Sequence, residues 1–306
     1  MSIHKVLVTG ASGFVGGYIA RRLLGRGYKV QALAQQGLEH LVPKGCEVIT
    51  GDLRNDESVN KCIQGCDAVV HAAYLGDYGI TPEEHFLANV VGSYRLLDKA
   101  RISNVSRFIY ISSMAVYSYS PENMLYRPVD ENHPTWGTSL YAACKLAIEA
   151  YCRSYYSTFG LNTTIIRPGQ VYGIQRAEQF YWLKLAQEVI SRPSVKVTGG
   201  GMIVAADDVA EIVAVMLERQ DMGGEIYNAV DFFLSWEEYA KLVKKKAGTN
   251  TVIEAEEIPP DHFLISNDKI RKLGISLKGM AGLESFVEEI LHLAQRKEKH
   301  NNEISN

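Results

Sequence analysis

What this 306-residue chain lacks narrows its reading before any motif is considered. Cysteines are few, five in all: Cys46, Cys62, Cys66, Cys144 and Cys152. An odd count in a chain with no expected leader argues against a disulfide framework. Cys62 and Cys66 stand four apart and suit one helix face. No second pair has the spacing of a zinc site, so they are read as free thiols and no metal is expected. Charge of one sign is also missing. With 32 Lys and Arg against 35 Asp and Glu, the net charge of −3 offers no attraction for nucleic acid or an anionic membrane. No apolar run is long enough to span a bilayer. Met1–Lys5 lead at once into an apolar strand, which leaves no room for a signal peptide, so the expected location is the cytoplasm. There is no internal repeat and no low-complexity segment. The remainder, 46% hydrophobic and 22% charged, is ordinary for a soluble globular protein, and a small molecule is the expected partner.

The rest of the chain is organised around Val6-Leu7-Val8-Thr9-Gly10-Ala11-Ser12-Gly13-Phe14-Val15-Gly16-Gly17. A β-branched run, a turn of small residues and an apolar-periodic segment through Ile19, Leu23 and Leu24 read as strand, turn and helix. Glycines at 10, 13 and 16 can serve a tight turn, the approach of a pyrophosphate to the backbone, and close helix–strand packing. The helix N-terminus then offers unpaired N–H groups to the phosphates.

Strands and helices alternate from there. Strands are expected at 28–34, 47–50, 68–72, 108–112 and 165–167. Asn55 is the expected N-cap of a helix ending near Gly65, and a second helix should start after Pro82 and reach about Arg101. Near-continuous apolar strands predict a parallel sheet covered on both faces, and right-handed crossovers make it doubly wound. Residues 1–170 are therefore read as a dinucleotide-binding core to which 203–228 return. Residues 171–298 are read as mainly a substrate-binding lobe, with helices at 175–191, 207–217, 236–246 and 283–296. The polar end, 299–306, is expected to be disordered.

The chemistry sits near the middle. Tyr141 and Lys145 are four apart in Ser139-Leu140-Tyr141-Ala142-Ala143-Cys144-Lys145, which places both on one helix face. Lys145 could stabilise the phenolate, making Tyr141 a general acid or base. The spacing alone is weak evidence, since 17 tyrosines make one such pair expected by chance. Ser112 and Ser113 fall at the C-terminal end of the fifth strand, and Arg167-Pro168 follow the sixth at the same edge, where open α/β sheets bind ligands. Adjacent strand residues face opposite ways, so only one serine can stand beside Tyr141.

These residues together resemble the extended short-chain dehydrogenase/reductases of the NAD(P)-dependent epimerase/dehydratase family. The matching motifs are the Thr9–Gly16 turn, Gly51-Asp52-Leu53, His71-Ala72-Ala73, Asn89, Ser112-Ser113 with Val116-Tyr117, Tyr141 with Lys145, Arg167-Pro168 with Tyr172-Gly173, and Asp207-Asp208-Val209-Ala210. The resemblance implies a Rossmann-type sheet with a smaller C-terminal lobe. It implies Ser113, Tyr141 and Lys145 as catalytic residues. Around the cofactor it implies Gly10, Ser12, Gly13, Phe14, Val15 and Gly16 at the phosphates, and Gln35, Asp52 and Leu53 at the adenosine. Ala72, Ala73, Asn89, Pro168 and Val171 complete that set, with Tyr141 and Lys145 at the nicotinamide ribose. Tyr74, Ser113, Met114 and Gln170 are implied at the substrate. A homodimer through the tyrosine-bearing helix is the family default.

Departures from the pattern matter as well. Cys144 stands where serine is common, and Ser118 replaces a usual glycine. Met114 and Ala115 follow Ser113 where nucleotide-sugar dehydratases carry an acidic pair, which argues against dehydration. The second strand ends in Gln35-Gln36, with neither the carboxylate that suits NAD nor the arginine that suits NADP, so weak discrimination with NAD slightly favoured is expected. Nucleotide-sugar members place arginines in the regions matching 199–206 and 254–261. Here the first is uncharged and the second acidic, although Arg176 or Arg271 could supply another clamp. The expected activity is an oxidoreductase or epimerase acting on a sugar, sugar acid or small carbonyl compound. The alternatives are a nucleotide-sugar epimerase and a non-catalytic cofactor-binding sensor.

Overall fold

The computed structural model describes the chain apart from residues 1–2, 77–78, 118–127, 176–180, 257–263 and 305–306, and apart from the side chains beyond 294. Ser118, Arg176 and residues 257–261 of the acidic stretch fall outside the described residues.

The strands in chain order are β1 (Lys5–Thr9), β2 (Lys29–Ala34), β3 (Glu47–Thr50), β4 (Ala68–His71), β5 (Arg107–Ile111), β6 (Thr163–Pro168), β7 (Gln170–Tyr172), β8 (Ser194–Val197), β9 (Gly200–Ala205), β10 (Glu225–Ala229), β11 (Phe232–Ser235) and β12 (Val252–Ala255). The helices are α1 (Phe14–Gly25), α2 (Asp56–Ile63), α3 (Pro82–Phe86), α4 (Gly92–Ile102), α5 (Leu140–Phe159), α6 (Tyr181–Ser191), α7 (Ala206–Glu218), α8 (Trp236–Ala247), α9 (Asp268–Arg271) and α10 (Gly279–Ile304).

Seven strands form the main sheet in the order β10-β6-β5-β4-β1-β2-β3, all parallel. The order reverses between β1 and β4, and the chain winds outward from there in both directions. The period of two along each strand sorts side chains to opposite faces. Val6, Val8, Val30, Ala32, Ala68 and Val70 pack against α1 and α7. Leu7, Leu33, Val69, Phe108 and Tyr110 face the other way, against α2, α4 and α5. Burial on both faces is why these strands read as continuous apolar runs.

A second core gathers Trp182, Leu185 and Val189 of α6, Tyr239 and Val243 of α8, and Leu283, Val287 and Ile290 of α10. It carries the short sheets β11-β9-β7 and β12-β8. Within 203–228, α7 lies on α1 and β10 adds to the main sheet, whereas β9 belongs to the smaller sheet.

Local signals explain most element ends. Asn55 caps α2, its side chain accepting from Ser58 N. Thr81 and Glu84 form a reciprocal capping box ahead of Pro82. Two differences stand out. The helix expected from Pro82 to Arg101 is broken by a π turn at Leu87–Val91 between α3 and α4. The last helix starts earlier than Leu283 and continues through Ile304, into the polar stretch expected to be disordered. Glu, Lys and Gln are good helix formers and extend a helix already anchored by its apolar face.

Candidate active site

A cavity of about 460 Å³ runs along the C-terminal ends of the parallel strands. At one end lie Gly10, Ser12, Gly13, Phe14, Val15 and Gly16. Gly10 has φ +74°, and a Cβ there would stand 2.7 Å from Ala73 N. A Cβ on Gly16 would stand 2.2 Å from Gly10 O, so helix and strand are too close for any other residue. The turn closes through Gly13 N donating to Gly10 O at 2.9 Å. No side chain caps α1, and its first residues, Gly13 to Gly16, line the cavity. A glycine cradle in front of an uncapped helix of twelve residues fits a dinucleotide pyrophosphate.

Gln35, Asp52 and Leu53, which the resemblance assigns to the adenosine, line the same cavity. Here the sequence reading missed Arg54. Its Nε and Nη2 donate to the two Asp52 oxygens at 2.9 and 2.8 Å, and Gln35 Nε2 donates to Asp52 Oδ2 at 2.9 Å. The Arg54 hydrogen bonds hold the Asp52 carboxyl down at about 2. Arg54, in the turn beyond β3, stands behind the cavity lining and is already paired with Asp52.

Ala72, Ala73 and Asn89 border the middle of the cavity. Asn89 grips the chain after β4, accepting from Leu75 N at 2.7 Å and donating to Leu75 O at 3.0 Å. Beside it the buried His71 bridges Thr9 Oγ1 and Ser93 Oγ, each 2.7 Å away. Burial, reinforced by the Lys145 charge, takes His71 down to about 3, so the ring is neutral.

Ser113, Tyr141, Lys145, Pro168, Val171 and Tyr74 meet at the far end. Ser139 caps α5, accepting from Ala142 N, and so sets Tyr141 in the first turn with Lys145 one turn on. Lys145 Nζ lies 5.7 Å from the Tyr141 ring centroid and donates to Ile111 O at 2.8 Å. Burial draws the Lys145 ammonium down to about 8, opposed in part by the negative potential of Glu149 and Cys144. Both serines reach the cavity, but in different company. Ser112 Oγ donates to buried Glu149 at 2.6 Å, whereas Ser113 Oγ starts the next turn by accepting from Ala115 N at 3.1 Å. Met114 and Gln170 line an adjoining hollow of about 370 Å³, together with Ser113, Ala115, Gly169, Gly200 and Gly201. No charged side chain lines that hollow among the described residues.

Under this end lies a buried polar network that the sequence reading also missed. Arg167 donates to both oxygens of Glu149, at 2.9 and 2.6 Å, and to Tyr117 Oη at 2.6 Å. Tyr117 Oη donates in turn to Asn228 Oδ1 at 2.9 Å. The Arg-Pro and Val-Tyr motifs, separate in sequence, are one ion-pair network in space. A charged residue four positions after Lys145, on the face that α5 buries, was the only signal available for Glu149.

The NAD dependent epimerase/dehydratase family model matches residues 6–229. This chain belongs to that family. Within it, the chain is 28% identical over 233 residues to a Stigmatella aurantiaca 4-hydroxy-2-methyl-3-oxo-4-farnesyl-3,4-dihydroquinoline-1-oxide ketoreductase, covering 74% of this chain and 68% of the relative. It is 32% identical over 180 residues to a UDP-glucose 4-epimerase of Streptomyces lividans, covering 56% of this chain and 54% of that protein. The crystal structure of Thermus thermophilus UDP-glucose 4-epimerase complexed with NAD superposes with a TM-score of 0.77 at 27% identity, covering 94% and 98% of the two chains. The match to the curated Streptomyces epimerase thus spans about half of that protein's length. The relatives include both epimerases and a 3-beta-hydroxysteroid dehydrogenase. Among the described residues, no helix is long and apolar enough to cross a membrane.

Proposed function

We propose that this family member is an NAD(P)-dependent oxidoreductase or epimerase acting at a secondary alcohol or ketone, with Tyr141 as acid/base. The observation that carries the reading is the meeting of Ser113, Tyr141 and Lys145 at one end of a cavity whose other end is a glycine cradle. The cofactor, when bound, supplies or takes the hydride. Tyr141 holds or moves the proton at the substrate oxygen. Ser113 Oγ orients that oxygen by hydrogen bonding, and the Lys145 charge favours the Tyr141 phenolate. The Lys145 ammonium is lost as pH rises through about 8, so turnover should fall on the alkaline side.

The substrate proposed is a free sugar, sugar acid or small carbonyl compound. Among the described residues, which leave out Arg176, the hollow beside Ser113 is walled by glycine, alanine, methionine and glutamine, with no guanidinium to grip a diphosphate. Arg271, on α9, spends its Nε on Asn267 Oδ1 at 2.9 Å. The competing reading, a nucleotide-sugar epimerase, draws on the names of several relatives. Isothermal titration of the NAD-loaded protein with UDP-, GDP- and dTDP-sugars decides between them, alongside a cofactor-absorbance assay over sugars and sugar acids. No saturable nucleotide-sugar binding is expected. Micromolar binding with turnover of any one would restore the competing reading, and silence across the whole assay would favour a sensor.

Cofactor choice is proposed to be loose, with NAD slightly favoured. Gln35 is neutral, and the nearby Arg54 is already paired with Asp52. Paired titrations should show NAD and NADP affinities within about a hundredfold, or ~2.7 kcal/mol. A larger gap either way would refute this.

A homodimer is proposed as well. Tyr94 and Ile102 of α4 and Tyr151 and Phe159 of α5 expose large apolar surface on neighbouring helices. Light scattering should give twice the chain mass, and a monomer at micromolar concentration would contradict it.

A further inference from the structure

Beside Tyr141 the cavity wall carries a line of polar contacts that the proposed proton transfer leaves unused. Tyr74 Oη and His85 Nε2 are 2.5 Å apart, and His85 Nδ1 lies 3.4 Å from Cys144 Sγ. His85 and Cys144 are both buried. On its other side Tyr74 meets Tyr141 edge to face, with centroids 4.8 Å apart and planes at 86°. The Tyr74 ring also lies 5.2 Å from Lys145 Nζ. One ring therefore touches both members of the Tyr141–Lys145 pair and is held at its hydroxyl by an imidazole.

The surroundings of Lys145 show why that ring matters. Among the described residues Lys145 has no carboxylate ion pair. Glu149, on the same helix, is committed to Arg167 and Ser112. Cys144 faces His85, and His71 on β4 is neutral. Besides Ile111 O, the ammonium has three aromatic rings for company: Tyr110 at 5.1 Å, Tyr74 at 5.2 Å and Tyr141 at 5.7 Å. A ring face attracts a desolvated cation, and an edge-to-face contact fixes the tilt of its partner ring.

We propose that Tyr74, pinned by His85 and Cys144, is a positioning residue for the Tyr141–Lys145 pair: its ring sets the tilt of Tyr141 and covers the Lys145 ammonium. This deepens the reading above and rests on it, since that pair is taken to move the proton. Cys144 Sγ meets the second ring nitrogen of His85 and can donate or accept as the tautomer requires, a role a serine hydroxyl could also fill.

The test reads Lys145 itself. The full chain, labelled at lysine Cε and saturated with NAD, is titrated by NMR, with the Lys145 signal assigned by its loss in Lys145→Met. Tyr74→Leu removes a ring from the ammonium, so the Lys145 midpoint should fall by about one pH unit. Tyr74→Phe and His85→Phe each release the pin and should give a smaller fall in the same direction. Because they cut the same contact, the double variant should shift no further than either alone. His85→Gln, which can still meet the Tyr74 hydroxyl, and Cys144→Ser should leave the midpoint in place. If Tyr74→Leu does not fold, the Tyr74→Phe and His85 series carries the decision. A midpoint unmoved in every Tyr74 and His85 variant overturns the proposal. So does a His85→Phe effect that persists undiminished in the Tyr74→Phe background. Tyr141→Phe tests the parent reading separately: full turnover there sinks the acid/base assignment, while the lysine titration still reports on the pin.

Discussion

Replacing Tyr141 by phenylalanine should lower turnover by about two to four orders of magnitude, the usual size of a general acid/base contribution. The variant keeps the ring, and with it the edge-to-face contact with Tyr74 and the face presented to Lys145. Folding and NAD affinity should therefore stay close to those of the parent chain. What disappears is the hydroxyl that would exchange a proton with the substrate oxygen. Steady-state kinetics on a substrate from the sugar and sugar-acid assay, beside an NAD titration, separate these effects. Near-normal turnover in the phenylalanine variant would remove Tyr141 from the mechanism. The two serines give a second arm. Ser113→Ala should cut turnover, whereas Ser112→Ala breaks a buried hydrogen bond to Glu149 and should act mainly on stability. The reverse ranking would transfer the catalytic hydroxyl to Ser112.

The second large effect is expected in stability. Glu149 and Arg167 are sealed from solvent and joined by two hydrogen bonds, with Ser112, Tyr117 and the half-exposed Arg153 around them. Glu149→Leu leaves a buried guanidinium facing an apolar side chain. Removing one partner of such a pair costs about 3–5 kcal/mol, because the survivor keeps its desolvation penalty without its compensation. Urea denaturation should register a loss of that size. Pairing Glu149→Leu with Arg167→Met should recover most of it, since the stranded charge goes too. A single-variant loss below about 1 kcal/mol would show that water reaches Arg167 after all.

Much of the fold was legible because its signals are local. The third strand falls at Glu47–Thr50 in both readings, and Asn55 caps α2 as its side chain suggests. Continuous apolar strands announced a sheet covered on both faces, and the sheet order places the glycine turn at the reversal. The cavity lining was legible for a related reason, since it is drawn from short motifs at strand ends. What escaped was contact between residues far apart in the chain. Nothing in Arg54 alone says that it grips Asp52 beside Gln35, and nothing in Tyr117 alone says that it receives Arg167. His85 reads as a helix residue in a charged first turn until Tyr74 and Cys144 are seen on either side of it. The π turn was invisible as well, because a one-residue slip confined to a five-residue turn is lost in the scatter of a 3.6-residue apolar period.

That π turn has a consequence for how the helix keeps its phase. Along a regular α-helix, residues four apart creep steadily around the surface. An i→i+5 turn winds more slowly and cancels the creep, so His85, Asn89 and Ser93 stay aligned on one side. Each then clasps a residue at or just beyond the end of β4: Ser93 takes His71, Asn89 takes Leu75, and His85 takes Tyr74. The arrangement works like a zipper whose teeth are counted from the π turn. Wound as a regular α-helix throughout, the eight steps from His85 to Ser93 would overshoot two full turns by roughly 80°, keeping every motif yet turning His85 away from its tooth. In this fold, spacing around the active site is information of the same rank as residue identity.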